Sequence, residues 1–191
     1  MTAKKGFHIK IVGRSGAKWG KICIFGSRFH IKKTGMRFLG NMEAKVDVKG
    51  RVFFPAAFRK ELQSAGCESM VMRKDVFQQC LVLYPEPVWN EEMDTLRRRL
   101  SRWNKKHQHI YRQFVSDVEI EELDGNGRIL IPRRYLALAG IEQCVRFIGM
   151  GDTVEIWSSA ACEKPFIEPE EFGKALEGIM GGGNGGQEAQ P

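Results

Sequence analysis

The chain has 191 residues and a formal net charge of +7 at pH 7, from 30 Lys or Arg and 23 Asp or Glu. Residues 1–35 hold nine of the basic residues and no acidic one, so the remaining residues have a net charge of −2. The basic composition is therefore no argument that the folded body binds nucleic acid, and a cationic surface there must come from local clustering. The longest apolar run of the first 35 residues, 22–25, is too short for a membrane span or a secretory signal.

Residues 1–35 form a basic N-terminal extension in which glycines interrupt every apolar stretch. Three interpretations stay open: sequence translated upstream of a natural initiator at Met36, a disordered basic arm that contacts phosphates, or an organelle-targeting segment. Residues 16–21 resemble a phosphate-binding loop. The spacing is one residue short and Ile22 stands where Ser or Thr is required, so we reject that interpretation.

One phrase occurs twice in the sequence, at residues 47–55 and again at 124–132, 77 residues further along. Each copy reads Asp-x-x-Gly-Arg, then three apolar residues, then Pro. An internal repeat predicts two similar units that pack against each other, and so two copies of the surface that the loop presents.

Each part of the phrase has a predicted structural role. Gly50 and Gly127 are expected to take positive φ, which allows a tight turn without a Cβ clash. Asp47 and Asp124 can accept hydrogen bonds from N–H groups inside that turn, so all four residues are expected to be structural. The apolar triplets predict buried strands, and each Pro ends its strand and suits the first turn of a helix.

The residues around each copy predict the same order of elements. Strands are predicted at 42–46 and 118–123, helices at 56–64 and 133–139, and hairpins at 70–84 and 145–157. The repeating unit is therefore β–turn–β–α–β–β and about 45 residues long, which is marginal for a core of its own. The two units are expected to fuse or interlock.

A single linker helix is predicted between the units, at residues 88–115. An apolar stripe supports it, formed by Leu96, Leu100, Trp103, His107, Ile110 and Phe114. The remaining face is basic and contains Arg97, Arg98, Arg99, Arg102, Lys105 and Lys106. That face is either solvated or contributes to DNA or subunit contacts.

Other features predict little chemistry. The pattern is lost after Trp157, and residues 161–191 are predicted to be a flexible tail. Five cysteines without a Cys-x-x-Cys pair argue against a disulfide scaffold and for a reducing cytoplasm. No catalytic grouping, metal site or cofactor site is predicted, so we expect no enzyme.

Residues 36–157 resemble the MraZ family in several motifs that occur in order, at 40–59, 83–85, 114–117 and 147–152. The family comprises bacterial transcription regulators with two SpoVT-AbrB-type units. The resemblance implies an α+β, strand-rich fold of tandem AbrB-like swapped-hairpin β-barrel units with short helices and a linker helix. It places the first unit at 36–87 and the second at 116–160.

The resemblance also implies a function. It indicates a sequence-specific repressor that binds double-stranded DNA at promoter direct repeats, controls its own cluster of division and cell-wall genes, and assembles into a ring homo-oligomer. Such a protein would be cytoplasmic and nucleoid-associated, with no cofactor, membrane or small-molecule substrate. The alternative is an AbrB-like or antitoxin-like protein that binds a protein partner and regulates its own synthesis.

The family's Asp-x-x-x-Arg signature falls on Asp47 with Arg51 and on Asp124 with Arg128. Lys49 in the first loop is replaced by Asn126 in the second, so the second loop is expected to be less basic. Either arginine could simply close its turn, contact phosphates, or do both once its Asp orients it. The candidate DNA-binding residues are Lys49, Arg51, Arg128, Arg59, Arg133 and Arg134.

Overall fold

The computed structural model describes residues 35–163 and 165–181. The predictions for the basic N-terminal extension, and for the glycine-rich end beyond residue 181, lie outside these residues. In chain order the elements are β1 Asn41–Lys45, β2 Arg51–Phe53, α1 Ala56–Ser64, β3 Ser69–Lys74, β4 Leu81–Pro85, α2 Glu86–Arg99, α3 Lys105–Ser116, β5 Glu119–Glu122, β6 Arg128–Leu130, α4 Arg133–Leu138, β7 Cys144–Gly149, β8 Val154–Ser158, a 3-10 turn Ser159–Cys162 and α5 Pro169–Gly181. The predicted β–turn–β–α–β–β order is confirmed in both repeats.

The two repeated strands pair directly with each other. β2 and β6 run antiparallel as a short ribbon, with Val52 opposite Ile129. The ribbon is extended symmetrically, because the Ile131 N–H donates to the Gly50 carbonyl at 2.8 Å and the Phe54 N–H donates to the Gly127 carbonyl at 3.0 Å. The carbonyl of each loop glycine therefore accepts a hydrogen bond from the residue that follows the strand of the other repeat.

The larger sheet exchanges strands between the repeats. Its order is β1-β7-β8-β4-β3-β5, so β1 of the first repeat extends the hairpin of the second, and β5 extends the hairpin of the first. The mixed α and β, strand-rich and interlocked architecture is confirmed. Among the described residues the pairings form a six-stranded sheet and a two-stranded ribbon, and no closed barrel is found.

One core joins both repeats. The rings of Phe38, Phe54, Phe58 and Phe147 contact one another with centroids 5.4 to 5.9 Å apart, and all four side chains are buried. Tyr135 of α4 is fully buried at the position that corresponds to Phe58 of α1. Because the two repeats bury their apolar side chains together, neither has to form a core alone.

The predicted linker helix is two helices, α2 and α3. Leu100 adopts an extended conformation that ends α2, and the Asn104 side chain caps α3 by accepting the His107 N–H at 3.2 Å. The predicted apolar stripe is therefore broken, and Trp103 in the connection is 97% exposed. Asn is a favoured N-cap residue, and that local signal overrides the continuous apolar periodicity.

An aromatic stack holds the two linker helices on the outer face of the sheet. Trp89 of α2 stacks parallel to Phe114 of α3 with centroids 5.2 Å apart, and it also meets Tyr84 of β4. The guanidinium of Arg73, a buried residue of β3, lies 4.1 Å from the Phe114 centroid. The linker is thus packed on the first hairpin.

The segment after β8 contradicts the prediction of a patternless tail. Phe166 packs against Trp157 with centroids 5.0 Å apart, and the helix α5 follows. Phe172, Leu176 and Ile179 recur at helical spacing, but three glycines in the same helix lower its intrinsic propensity and concealed the signal. Within the described part of the chain, no helix has the length and apolar character that crossing a membrane requires.

Candidate nucleic-acid interface

The first repeated loop is organised around one carboxylate. Asp47 Oδ1 accepts the N–H groups of Lys49 at 2.8 Å and Arg51 at 2.9 Å, and Oδ2 accepts the Arg51 Nε–H at 2.7 Å. The Nη2 atom of the same guanidinium lies 2.6 Å from Oδ2. Gly50 takes φ +83° and donates its N–H to the Asp47 carbonyl at 2.9 Å. Asp47 and Gly50 together close the first loop through these hydrogen bonds.

The second loop repeats these contacts. Asp124 Oδ1 accepts the N–H groups of Asn126 at 2.9 Å and Arg128 at 3.0 Å, while Oδ2 lies 2.8 Å from both Nε and Nη2 of Arg128. Gly127 takes φ +75° and donates to the Asp124 carbonyl at 2.8 Å. The same five-residue phrase therefore builds the same loop twice.

These contacts keep both carboxylates charged. The hydrogen bond from the Arg51 N–H, followed by the bond from its guanidinium, lowers the pKa of Asp47 to about 2. The corresponding contacts of Arg128 lower the pKa of Asp124. In the part of the chain that the structure describes, Nη1 of neither arginine takes part in these ion pairs. Each Asp therefore orients its arginine and leaves one edge of the guanidinium open for an anion such as phosphate.

The β2–β6 ribbon brings the two arginines onto one surface. Arg51 and Arg128 lie two positions apart in the antiparallel register and on the same face, since Val52 and Ile129 between them point into the core. The strand spacings put their Cα atoms about 8 Å apart. The structure thus places two oriented guanidinium groups side by side.

Two apolar side chains share this face, against the prediction that the whole triplets are buried. Phe53 is 60% exposed and Leu130 is 45% exposed. The Arg128 guanidinium lies 5.7 Å from the Phe53 ring centroid, within the range of a cation–π contact. Side chains alternate between the two faces of a strand, so burial of the first and last residue of each triplet predicts that Phe53 and Leu130 between them point to the opposite face.

The remaining candidate cations are distributed unevenly. Lys49 is exposed at the tip of the first loop. Arg59 of α1, close to the first loop in sequence, lies instead on the second loop, where its Nη1 is 3.4 Å from the Asn126 carbonyl oxygen. The second loop therefore regains, from the other repeat, a positive charge that Asn126 does not supply.

A glycine makes room for Arg59. A Cβ at Gly127 would collide with the Arg59 guanidinium, whereas a Cβ at Gly50 would lie 3.7 Å from a methyl carbon of Leu136. Arg59 and Leu136 occupy corresponding positions in α1 and α4, 77 residues apart. The two loops thus have equivalent helical neighbours, one cationic and one apolar.

The two arginines that begin α4 differ in their surroundings. Arg134 pairs with Glu119 at 2.8 Å and with Asp117 at 3.7 Å, and its guanidinium stacks over the Tyr135 ring at 4.6 Å. Arg133 is exposed. Acidic neighbours already balance the charge of Arg134, so Arg133 is the more available of the two for an external anion.

The fold and the loops define a class of protein, namely one with two strand-exchanged β–turn–β–α–β–β repeats that carry paired Asp–Arg loops. A family model described as "MraZ protein, putative antitoxin-like" matches residues 37–113 and 116–173. The chain therefore belongs to the MraZ family.

Several relatives share most of their length with this chain. It is 66% identical over 149 residues to the transcriptional regulator MraZ of Phocaeicola vulgatus, covering 78% of this chain and 97% of the relative. Identity is 61% over 145 residues with the transcriptional regulator MraZ of Bacteroides thetaiotaomicron, covering 76% of this chain and 93% of that relative. Identity is 35% over 147 residues with the transcriptional regulator MraZ of Christiangramia forsetii, covering 76% of this chain and 94% of that relative.

Proposed function

We propose that the chain is a DNA-binding transcriptional regulator that recognises double-stranded promoter DNA through the β2–β6 ribbon and its two loops. The observation that supports this most strongly is the pair of arginines, Arg51 and Arg128, each held by its own Asp in the same way and on one face of the ribbon. A guanidinium held by a carboxylate loses little conformational freedom when it meets a phosphate or a base edge. The names of the relatives support the regulatory role.

The finer proposal follows from the family resemblance. The protein would act in the cytoplasm at the nucleoid as a repressor of its own division and cell-wall gene cluster, bound to direct repeats as a ring. One chain neutralises few phosphates, because Asp47 and Asp124 offset two of its loop cations. Several chains in one ring would place many loops beside several repeats and raise affinity through effective concentration.

Operator affinity across a salt series tests this function. Arg51→Ala should weaken binding to the DNA upstream of the gene and lower the slope of log affinity against log salt, because fewer counterions are released. Lys60→Ala offers a control at an exposed cation of α1 that is not among the candidate DNA-binding residues. Should Arg51→Ala reduce the melting temperature yet keep the wild-type salt slope, the loop is scaffold only and the DNA surface lies elsewhere.

DNA binding should not require residues 1–35. A chain that lacks residues 1–35 should fold and bind the operator, because both repeats and the linker lie in the part that remains. Circular dichroism and a gel-shift titration measure the two properties. Loss of folding on deletion would exclude the interpretation that Met36 is the natural start.

A second function is supported by α5, which is amphipathic and follows the repeats as a protein-binding tail would. In that case the chain would act chiefly by holding a protein partner, as an antitoxin does. Deletion of residues 165–191 separates the two functions. Operator binding by the single chain should persist because the ribbon is intact, whereas binding of a protein partner through α5 should be lost.

A further inference from the structure

The helix α5 lacks the packing that a helix of its length needs. It has 13 residues, and none of them is buried. Gly173, Gly178 and Gly181 each disfavour the helix by about 1 kcal/mol relative to Ala. Isolated helices shorter than about 12–15 residues are marginal in water even with good helix formers, so α5 requires a partner surface.

The apolar face of α5 indicates what kind of partner it needs. Phe172, Leu176, Ile179 and Met180 form one stripe, and they are between 47% and 76% exposed. At 100° per residue, Glu171 and Glu177 flank the stripe on its two sides. The complementary surface should therefore be apolar at its centre and positively charged at its edges.

The turn between α2 and α3 has that character, and we call residues 95–116 the basic corner. It contains seven Lys or Arg and no Asp or Glu. None of the seven forms an ion pair with any other described residue. Trp103 is 97% exposed among these cations, and Ile110, one turn after Lys106 on α3, is 43% exposed. Exposed Trp beside Arg is the composition typical of an interface centre.

We propose that α5 of one copy docks onto the basic corner of a second copy. This inference rests on the assembly part of the proposed function and names the surfaces that would carry it. Within its own chain the segment before α5 is fixed by the Phe166–Trp157 contact while the α5 stripe stays exposed. Because helix and corner are different surfaces, the contact is heterologous and can repeat from copy to copy until a ring closes.

Two complementary variants of the full chain test the docking. Trp103→Asp destroys the corner and leaves α5 intact, whereas Leu176→Asp destroys the α5 stripe and leaves the corner intact. Either variant alone should have the mass of one chain, 21.7 kDa, by light scattering. Mixed in equal amounts they should form a dimer of twice that mass, since one intact helix and one intact corner remain.

Folding and nonspecific effects are controlled in the same experiment. Phe77→Asp changes a residue of the β3–β4 turn that is 89% exposed, so it should leave the oligomer mass unchanged. Far-ultraviolet circular dichroism and the melting temperature must match the wild type in all three variants, because none of the three residues is in the core. A variant that fails this check is replaced by Ile179→Asp or Ile110→Asp.

Each other result overturns the docking. If Leu176→Asp dissociates the oligomer but Trp103→Asp does not, the α5 helices pair with each other. If neither variant changes the mass, α5 packs within its own chain or binds a different protein. These masses are measured without DNA, so they do not depend on DNA recognition. If the mixed variants form the dimer but do not bind the operator, the proposed function is wrong and the docking still stands.

Discussion

The two copies of the loop have the same internal geometry and different neighbours. In each, one carboxylate oxygen accepts two backbone N–H groups and the other accepts the arginine side chain. Leu136 lies near Gly50, whereas Arg59 lies against Gly127. The repeated phrase therefore determines the loop, and the helix beside it determines local charge and tolerance to substitution.

The first strands of the repeats differ in a similar way. The half-buried positions of β1 are Met42 and Ala44, and the corresponding positions of β5 are Glu119 and Glu121. Ile120 between the two carboxylates is 73% exposed. Burial, together with the charge of Glu119, raises the pKa of Glu121 to about 7. The second repeat thus places an acid where the first places a small apolar side chain.

The glycine comparison should give the largest effect. A Cβ at Gly50 would lie 2.6 Å from the backbone oxygen of Ile131, which cannot move without disturbing the ribbon, whereas at Gly127 it meets the mobile end of Arg59. Both positions have positive φ, which alone costs about 1–2 kcal/mol for Ala. We expect Gly50→Ala to lose about 3 kcal/mol or more in urea unfolding at fixed protein concentration, and Gly127→Ala about half as much. Equal losses would contradict the assigned difference in neighbours.

Arg59→Leu should give the second loop an apolar neighbour on the adjacent helix, as Leu136 is for the first loop. Loss of one phosphate contact should weaken operator binding about tenfold and lower the salt slope by about one per bound chain. Stability should change little, because Leu is the residue at the corresponding position of α4. The matched control is Lys60→Leu, an exposed neighbour on the same helix. An equal effect of the control would show that only general positive charge matters.

The loop carboxylates should give a pH-dependent effect of intermediate size. The folded pKa of Asp47, about 2, is below its ordinary value of 3.8. Its stabilising contribution is therefore fully present above about pH 3.8 and is lost as the pH falls toward 2. Asp47→Asn should lower the melting temperature at pH 7 and converge with the wild type near pH 2. The pKa of Asp124 is also lowered, so Asp124→Asn should likewise lose its effect as the pH falls. A flat difference for Asp47→Asn across this range would refute the role of the ion pair.

The strand comparison should give the smallest effect. The folded pKa of Glu121 is raised from 4.5 to about 7, so wild-type stability is lost as the pH rises between these values. Glu121→Ala restores the residue type of Ala44 and should melt roughly 1–2 °C higher at pH 8 once solvent screening is allowed for. At pH 4.5 no such gain is expected. Ile120→Ala, on the solvent side of the same strand, serves as the control.

Much of the fold could be predicted because the repeat and the strand pattern are local signals. The boundaries of α1 and both hairpins agree with prediction within one or two residues. The break between α2 and α3 was missed because the apolar spacing continues through it, although Asn104 carried a capping signal. Helix α5 was missed because its glycines obscured a three-residue apolar pattern.

The candidate site was less predictable because it depends on strand pairing. Arg59 is close to the first loop in sequence, but the antiparallel ribbon places it against the second loop. Similarly, the predicted cation at Arg134 lies beside Glu119, which precedes it by 15 residues, and forms an ion pair there. Spacing along the chain identifies loop-forming residues, but it does not show which helix reaches which loop.

The exchange of first strands has a consequence during synthesis of the chain. Asn41 begins β1 opposite Ile148, which is 107 residues later. At a translation rate of about 5–20 residues per second, β1 waits roughly 5–20 s for its partner strand to be made. During that time Glu43 and Lys45 place opposite charges on an unpaired strand, which discourages pairing with strands of neighbouring nascent chains. The first repeat therefore cannot complete its strand pairing until the second repeat has left the ribosome.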